Sequence, residues 1–230
     1  MKAMADRVMA ISGAFGALGR VVSRAAEADG WRLVLIDAAP APENGALDSS
    51  LILGGVDLTD AQAAADAIAR GGDRFGRLDA LLNIAGGFTW TTVADSSPGD
   101  FEKMFRLNVI TCSNLCRAAT PALAASGSGR IVNVGALGAE KAAAGMGPYA
   151  ASKAGVHKLT EALAQELKGK VCVNAVLPSI IDTPANRADM PKADPKTWVA
   201  PAELAAVMLF LASEAASAVT GALVPVPGRV

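Results

Sequence analysis

The chain has 230 residues, 52% of them hydrophobic, and a formal net charge of -1 from 21 Lys and Arg against 22 Asp and Glu. That is core material enough for a single large α/β domain, and the near balance of charge argues against a nucleic-acid partner. Arg7 to Ser12 is a short apolar run that stops at the glycine-rich stretch Gly13 to Gly19, a pattern that predicts a strand, a turn and a helix. The helix is expected over about Ala17 to Ala28, ending near Gly30, and Trp31 to Asp37 reads as a second buried strand. Further strands are expected at Leu51 to Asp57, Leu78 to Ala85, Arg130 to Gly135, Val171 to Leu177 and Ala222 to Val226. The stretches between them carry helical patterns, among them the alanine-rich Ala61 to Ala69 and Ala202 to Ala216. Seven strands alternating with helices predict a Rossmann-type, doubly wound α/β domain with a parallel sheet and helices on both faces. Pro178 to Pro201, which also holds Pro184, Pro191 and Pro195, has no regular pattern and is expected to form a lid over a substrate.

Met1 to Ser12 runs directly into the first strand without a long apolar core and cleavage site, so no export signal is expected. Charge, glycine or proline breaks the other apolar stretches before the roughly 20 residues that span a bilayer. The expectation is a cytoplasmic protein without a membrane partner. Cys112, Cys116 and Cys172 lack metal-ligand clustering and read as buried free thiols, and no metal site is expected. His157, the only histidine, has no acid or serine partner suggested by spacing and reads as a packing or surface residue.

Two groups of residues carry chemistry. In Ser12-Gly-Ala-Phe-Gly-Ala-Leu-Gly19, glycines fall at Gly13, Gly16 and Gly19, with Phe15 and Leu18 between them, where a strand meets a helix. Such a turn lets the backbone approach a pyrophosphate at the helix N-terminus. Asp37, eighteen residues after Gly19, ends the second strand, where a carboxylate accepts hydrogen bonds from ribose hydroxyls and repels a 2′-phosphate. Neither lysine nor arginine occurs in Ala38 to Ala41, so NAD is favoured over NADP. The second group is Tyr149-Ala-Ala-Ser-Lys153, in which the only tyrosine and a lysine share one helix face at i and i+4. An ammonium close to a phenol favours the phenolate, so Lys153 is expected to lower the pKa of Tyr149 for proton transfer.

Taken together, these motifs resemble the short-chain dehydrogenase/reductase family over almost the full chain. The resemblance implies an NAD-dependent oxidoreductase with Tyr149 and Lys153 at its catalytic centre and a small-molecule substrate. It gives Asn108 the place of the asparagine that holds a relay water, and Lys153 the further task of binding the nicotinamide ribose. Asn83, Ala85 and Gly86 match the family's Asn-x-Ala-Gly segment, which supports sheet and cofactor. Asp57 and Leu58 match the adenine-binding positions, and Pro178 with Thr183 the segment near the carboxamide. Phe88, Trp90 and Met146 lie beside active-site motifs and read either as an apolar platform for a substrate ring or as core. Relatives pair through helices equivalent to those around Phe101 to Leu123 and Pro148 to Leu167, which implies a homodimer or homotetramer.

Two departures stand out. Ala17 occupies a position where the family usually has glycine, giving a Gly-x-x-Gly-x-x-Gly turn, and the serine expected twelve or thirteen residues before the tyrosine is replaced by Leu137 and Ala136. Loss of a donor to a developing oxyanion costs on the order of 3 kcal/mol, which favours an activated acceptor over a plain ketone. The dihydropteridine reductase-like subgroup lacks the same serine, and the chain resembles it at Ala85-Gly-Gly87, Gly145-Met146, Val156-His157 and Asp182-Thr-Pro-Ala-Asn-Arg187, with Met190-Pro191, Ala193-Asp194 and Trp198. That subgroup reduces quinonoid dihydropterin with NADH. A function of another class, a nucleotide-binding regulator without turnover, is weighed against by the retained Asn108, Tyr149 and Lys153.

Overall fold

The computed structural model describes residues 7–42 and 50–230. Seven strands form one parallel sheet: β1 (Val8–Ser12), β2 (Arg32–Ile36), β3 (Ser50–Leu53), β4 (Ala80–Asn83), β5 (Gly129–Val134), β6 (Val171–Pro178) and β7 (Leu223–Val226). Their order across the sheet is β3-β2-β1-β4-β5-β6-β7, so the chain reverses its direction of travel between β1 and β4. Ligand crevices of doubly wound sheets lie outside the carboxyl ends of the strands at such a switch point.

Alternation along each strand sends side chains to two separate cores. Val8, Ala10, Leu81, Ile131 and Val173 face α2 (Ala61–Phe75), α4 (Thr111–Ala125) and α5 (Gly147–Glu166). Met9, Ile11, Leu82, Val132 and Val176 face α1 (Ala17–Ala28) and α7 (Pro201–Ala212) on the other side. Because both faces are covered, the strands read as continuous apolar runs. Asp60 caps α2 by accepting the amides of Gln62 and Ala63, and Gly76, in the left-handed region, ends it. No helix among the described residues is long and apolar enough to cross a membrane.

Several boundaries differ from the sequence expectation, each for a local reason. The third strand stops at Leu53 rather than Asp57, where Gly54 passes so near the backbone of Pro40 and Ala41 that a Cβ would collide with it and Gly55 takes φ +73°. The fourth ends at Asn83 because the amides of Ile84 and Ala85 turn to Ser12 Oγ, both at 3.2 Å. The helix expected around Phe101 to Leu123 starts at Pro98 as α3 (Pro98–Phe105) and widens into a π-helical turn at Arg106–Ile110 before α4. Pro178 to Pro201 is more regular than its prolines suggest. It contains α6 (Pro184–Asp189) and a 3₁₀ turn at Pro195–Thr197, and it closes on itself through an Ile181–Val199 bridge beside a buried Trp198. Cys112 and Cys116 are buried free thiols, whereas Cys172 is half-buried with its thiol toward Ser217 O.

Leu81 is fully buried in the sheet, so Leu81→Ala is expected to lower the unfolding free energy by about 2–5 kcal/mol in urea titration. Val93→Ala, at a side chain 71% exposed, should change it by less than about 0.5 kcal/mol.

Candidate active site

A cavity of about 520 Å³ opens at the carboxyl ends of β1 to β4. Its floor is the turn Gly13 to Gly19, which needs its glycines. Gly13 sits at φ +65° with a Cβ position 2.8 Å from Ala85 N, and a Cβ on Gly19 would collide with Gly13 O. Bare at its three glycines, the turn brings the backbone and the first amides of α1 to the cavity, a setting that attracts anions. Phe15, Gly16 and Leu18 line the same floor.

Asp37 stands at the far end, where Oδ2 accepts the Phe15 amide at 2.8 Å and Oδ1 the Ala39 amide at 2.9 Å. These bonds aim the carboxylate and tie the tip of β2 to the glycine turn. Asp57 and Leu58 form the neighbouring wall. Hydrogen bonds from the Thr59 hydroxyl and amide hold the Asp57 carboxyl below its ordinary pKa. Ala85, Gly86 and Thr183 complete the lining, and Thr183 also caps α6 by accepting the Asn186 amide. Pro178 ends β6, buried. Asn83, like Pro178 and Lys153, is absent from the lining among the described residues, and its amide donates to Asn133 Oδ1 at 2.8 Å and Cys116 Sγ at 3.2 Å, joining β4 to β5 and α4.

Gly86 joins the cavity to the expected catalytic helix. A Cβ there would lie 2.5 Å from Asn108 Oδ1 and 3.4 Å from Lys153 Nζ, so the bare glycine lets both groups stand against the cavity wall. Asn108, fully buried in the π turn, accepts the Gly87 amide at 2.9 Å and donates to Gly87 O at 3.1 Å and Ser152 Oγ at 2.9 Å. Both of its amide protons are thereby spent. Ser152, one residue before Lys153, was not among the residues singled out by sequence, although it lies inside the Tyr-to-Lys motif.

Lys153 donates to Val134 O at 2.7 Å, and burial lowers its pKa to about 8. Burial of Tyr149 raises the phenol to about 12. The expected lowering of the phenol by the ammonium therefore does not describe this structure, in which desolvation alone sets the shift and Lys153 is turned to the Val134 carbonyl. Phe88 meets the Tyr149 ring edge-on at 4.9 Å between centroids, and Trp90 lies against Gly145, whose Cβ position its indole fills. With Phe88 56% and Trp90 62% exposed, the pair is not core, and Met146 is half-buried beside them. No hydroxyl stands at Ala136 or Leu137. His157 is buried and does have an acid partner, Glu140 Oε1 at 3.0 Å from Nδ1, which its sequence position did not announce.

A family profile described as enoyl-(acyl carrier protein) reductase matches residues 13–228. The galactitol 2-dehydrogenase (L-tagatose-forming) of Cereibacter sphaeroides is 34% identical, covering 95% of this chain and 92% of its own. The short-chain glucose/ribitol dehydrogenase structure from Brucella melitensis superposes with a TM-score of 0.89 at 30% identity, over 97% of this chain and 96% of that one. Carveol dehydrogenase from Mycobacterium avium, solved in complex with NAD, superposes with a TM-score of 0.85 at 26% identity, over 98% and 97%. With its glycine turn, parallel sheet and Tyr-x-x-x-Lys helix, the chain belongs to the short-chain dehydrogenase/reductase family of oxidoreductases, which act with a nicotinamide cofactor.

Proposed function

We propose that the protein is an NAD(H)-dependent oxidoreductase in which Tyr149 gives the proton that accompanies hydride transfer. The observation that supports this reading is the shared wall at Gly86, which lines the cavity on one side and meets Asn108 and Lys153 on the other. The residues present fit such a cofactor. The glycine turn would hold the pyrophosphate, and Asp37 would accept from the adenosine ribose, since each carboxylate oxygen keeps a free lone pair beyond its one amide bond. NAD rather than NADP is supported by that carboxylate and by the lack of any lysine or arginine lining the cavity among the described residues. The nicotinamide, when bound, exchanges a hydride with the substrate.

Lys153 gives one of its three protons to Val134 O, which leaves two for a ribose hydroxyl and its surroundings. Tyr149, with its pKa near 12, keeps its proton at neutral pH, as a donor must. Asn108 and Ser152 hold Gly87 and the start of α5 in place around it. Phe88, Trp90 and Met146 offer an apolar flank to the substrate.

A narrower reading is favoured by two observations, the missing hydroxyl at Ala136 and the exposure of Phe88 and Trp90 near Tyr149 and Gly145. A plain ketone would lose about 3 kcal/mol of transition-state stabilisation there, whereas a quinonoid ring gains conjugation on reduction and stacks on aromatic side chains. We therefore propose NADH-dependent reduction of quinonoid dihydropterin as the activity. The initial rate of NADH oxidation with that acceptor, corrected for the rate without protein, tests it. Saturable turnover is expected. Turnover only with members of a carbonyl and alcohol panel would overturn the pterin reading and keep the oxidoreductase.

Tyr149→Phe is expected to lower kcat by at least about 10²-fold while NADH affinity, read by nucleotide fluorescence, stays within about twofold because Tyr149 is not among the cavity-lining residues. Asp37→Ala should weaken NADH binding by about tenfold and narrow the preference for NADH over NADPH, since charged hydrogen bonds are worth about 1.5–3 kcal/mol. Equal preference in the unaltered protein would refute the assignment of Asp37.

A further inference from the structure

His157 lies on α5 one turn beyond Lys153 and is 3% exposed. Its Nε2 accepts the Ala136 amide at 3.3 Å, while Nδ1 faces Glu140 Oε1 at 3.0 Å. A ring nitrogen that accepts carries no proton, so this pair of contacts specifies the neutral imidazole with its proton on Nδ1 and donated to Glu140. On the same helix face Lys153 holds Val134 O at 2.7 Å. Between them Gly135 leaves room for the ring, because a Cβ there would lie 2.5 Å from His157 Nε2. Three consecutive residues, Val134 to Ala136, are thus held by two side chains at i and i+4. A little further on, a Cβ at Gly138 would lie 3.2 Å from Met146 Cε, so a shift in this stretch reaches the side chains beside Tyr149.

We propose that His157 is a positioning residue: backed by Glu140, it fixes the Ala136 amide and with it the backbone wall between Lys153 and Met146, where the family usually relies on a serine, and its protonation releases that wall. The proposal rests on Tyr149 being the working group of the site. A proton on Nε2 would point at the Ala136 N–H, and two donors facing each other cannot bond. The charged groups acting on the ring are Glu140 from the turn after β5 and Lys153 and Glu161 on α5 itself, while from β6 the Leu177 side chain approaches at Gly135. Burial lowers the imidazole pKa, Glu140 opposes, and the balance falls below the ordinary 6.5. A depressed folded value means that the clamp is whole above about pH 6.5 and fails as pH drops through the lower folded value.

The chain has one histidine and one tyrosine, so each gives a single, unambiguous resonance when the protein carries no histidine tag. Nitrogen-15 spectra of the imidazole near neutral pH should show the proton on Nδ1 and none on Nε2, with a titration midpoint below 6.5. The carbon-13 signal of the Tyr149 ring should move with that same midpoint, far from its own titration near 12. His157→Gln, whose side-chain oxygen can accept the Ala136 amide but does not titrate, should hold the tyrosine signal flat over the same range. His157→Phe, which removes the acceptor, should shift it at neutral pH to the position seen in acid for the unaltered protein. A proton on Nε2 at neutral pH, a midpoint at or above 6.5, or a tyrosine signal blind to the imidazole would overturn the proposal. The spectra of the unaltered protein decide the matter even where a variant does not fold. None of these readings needs a substrate, so they succeed or fail separately from the proposed activity.

Discussion

Burying an ammonium group at the carboxyl edge of a parallel sheet is expensive, and the surroundings of Lys153 are arranged around that expense. Desolvation lowers its pKa to about 8, and a single carbonyl, Val134 O, accepts from it at 2.7 Å. Beside it Gly86 is bare: a Cβ there would only touch Lys153 Nζ, at 3.4 Å, but would collide with Asn108 Oδ1, at 2.5 Å, so it is Asn108 that needs the space. Asn108 in turn sits in a π turn, whose extra residue rotates the helix relative to its flanks and is a common device where function needs a particular side-chain direction. Clasping both polar groups of Gly87, Asn108 fixes the β4 exit against α5.

The sheet supplies the frame for this. Reversal of strand order between β1 and β4 parts the segments that follow them, and the cavity opens in that gap. Ser12 Oγ spans the two exits by accepting the amides of Ile84 and Ala85, which keeps the gap from widening. Deeper in, Asn83, Asn133 and Thr160 link β4, β5 and α5 through buried hydrogen bonds of 2.8 and 2.9 Å. The interior beneath the site is therefore polar and directional where an apolar core would allow sliding.

Much of this was legible from the chain alone. The seven apolar runs, the glycine turn and Asp37 depend on local pattern, and local pattern is what a sequence displays. What was hidden depends on partners distant in sequence. Asn83 reads as part of a segment that supports sheet and cofactor, and the partner through which it serves the sheet, Asn133, lies fifty positions away. His157 reads as a lone histidine until the turn after β5 returns Glu140 to it. Spacing correctly put Tyr149 and Lys153 on one helix face, but spacing carries no information on burial, and burial moves the phenol up where the charge pairing alone would have moved it down. The stretch from Pro178 to Pro201 looked patternless because prolines there start short helical turns instead of breaking long ones.

We propose that one nucleotide site runs from Asp37 to Lys153 past Gly86. A crystal structure of the complex with NADH tests it most directly. The expected result is the adenosine ribose on the Asp37 carboxylate, the pyrophosphate over Gly13 to Gly19, and the nicotinamide end at Gly86 within reach of Lys153 and Tyr149. A nucleotide bound in the opposite direction, or one whose nicotinamide lies away from Tyr149, would contradict it.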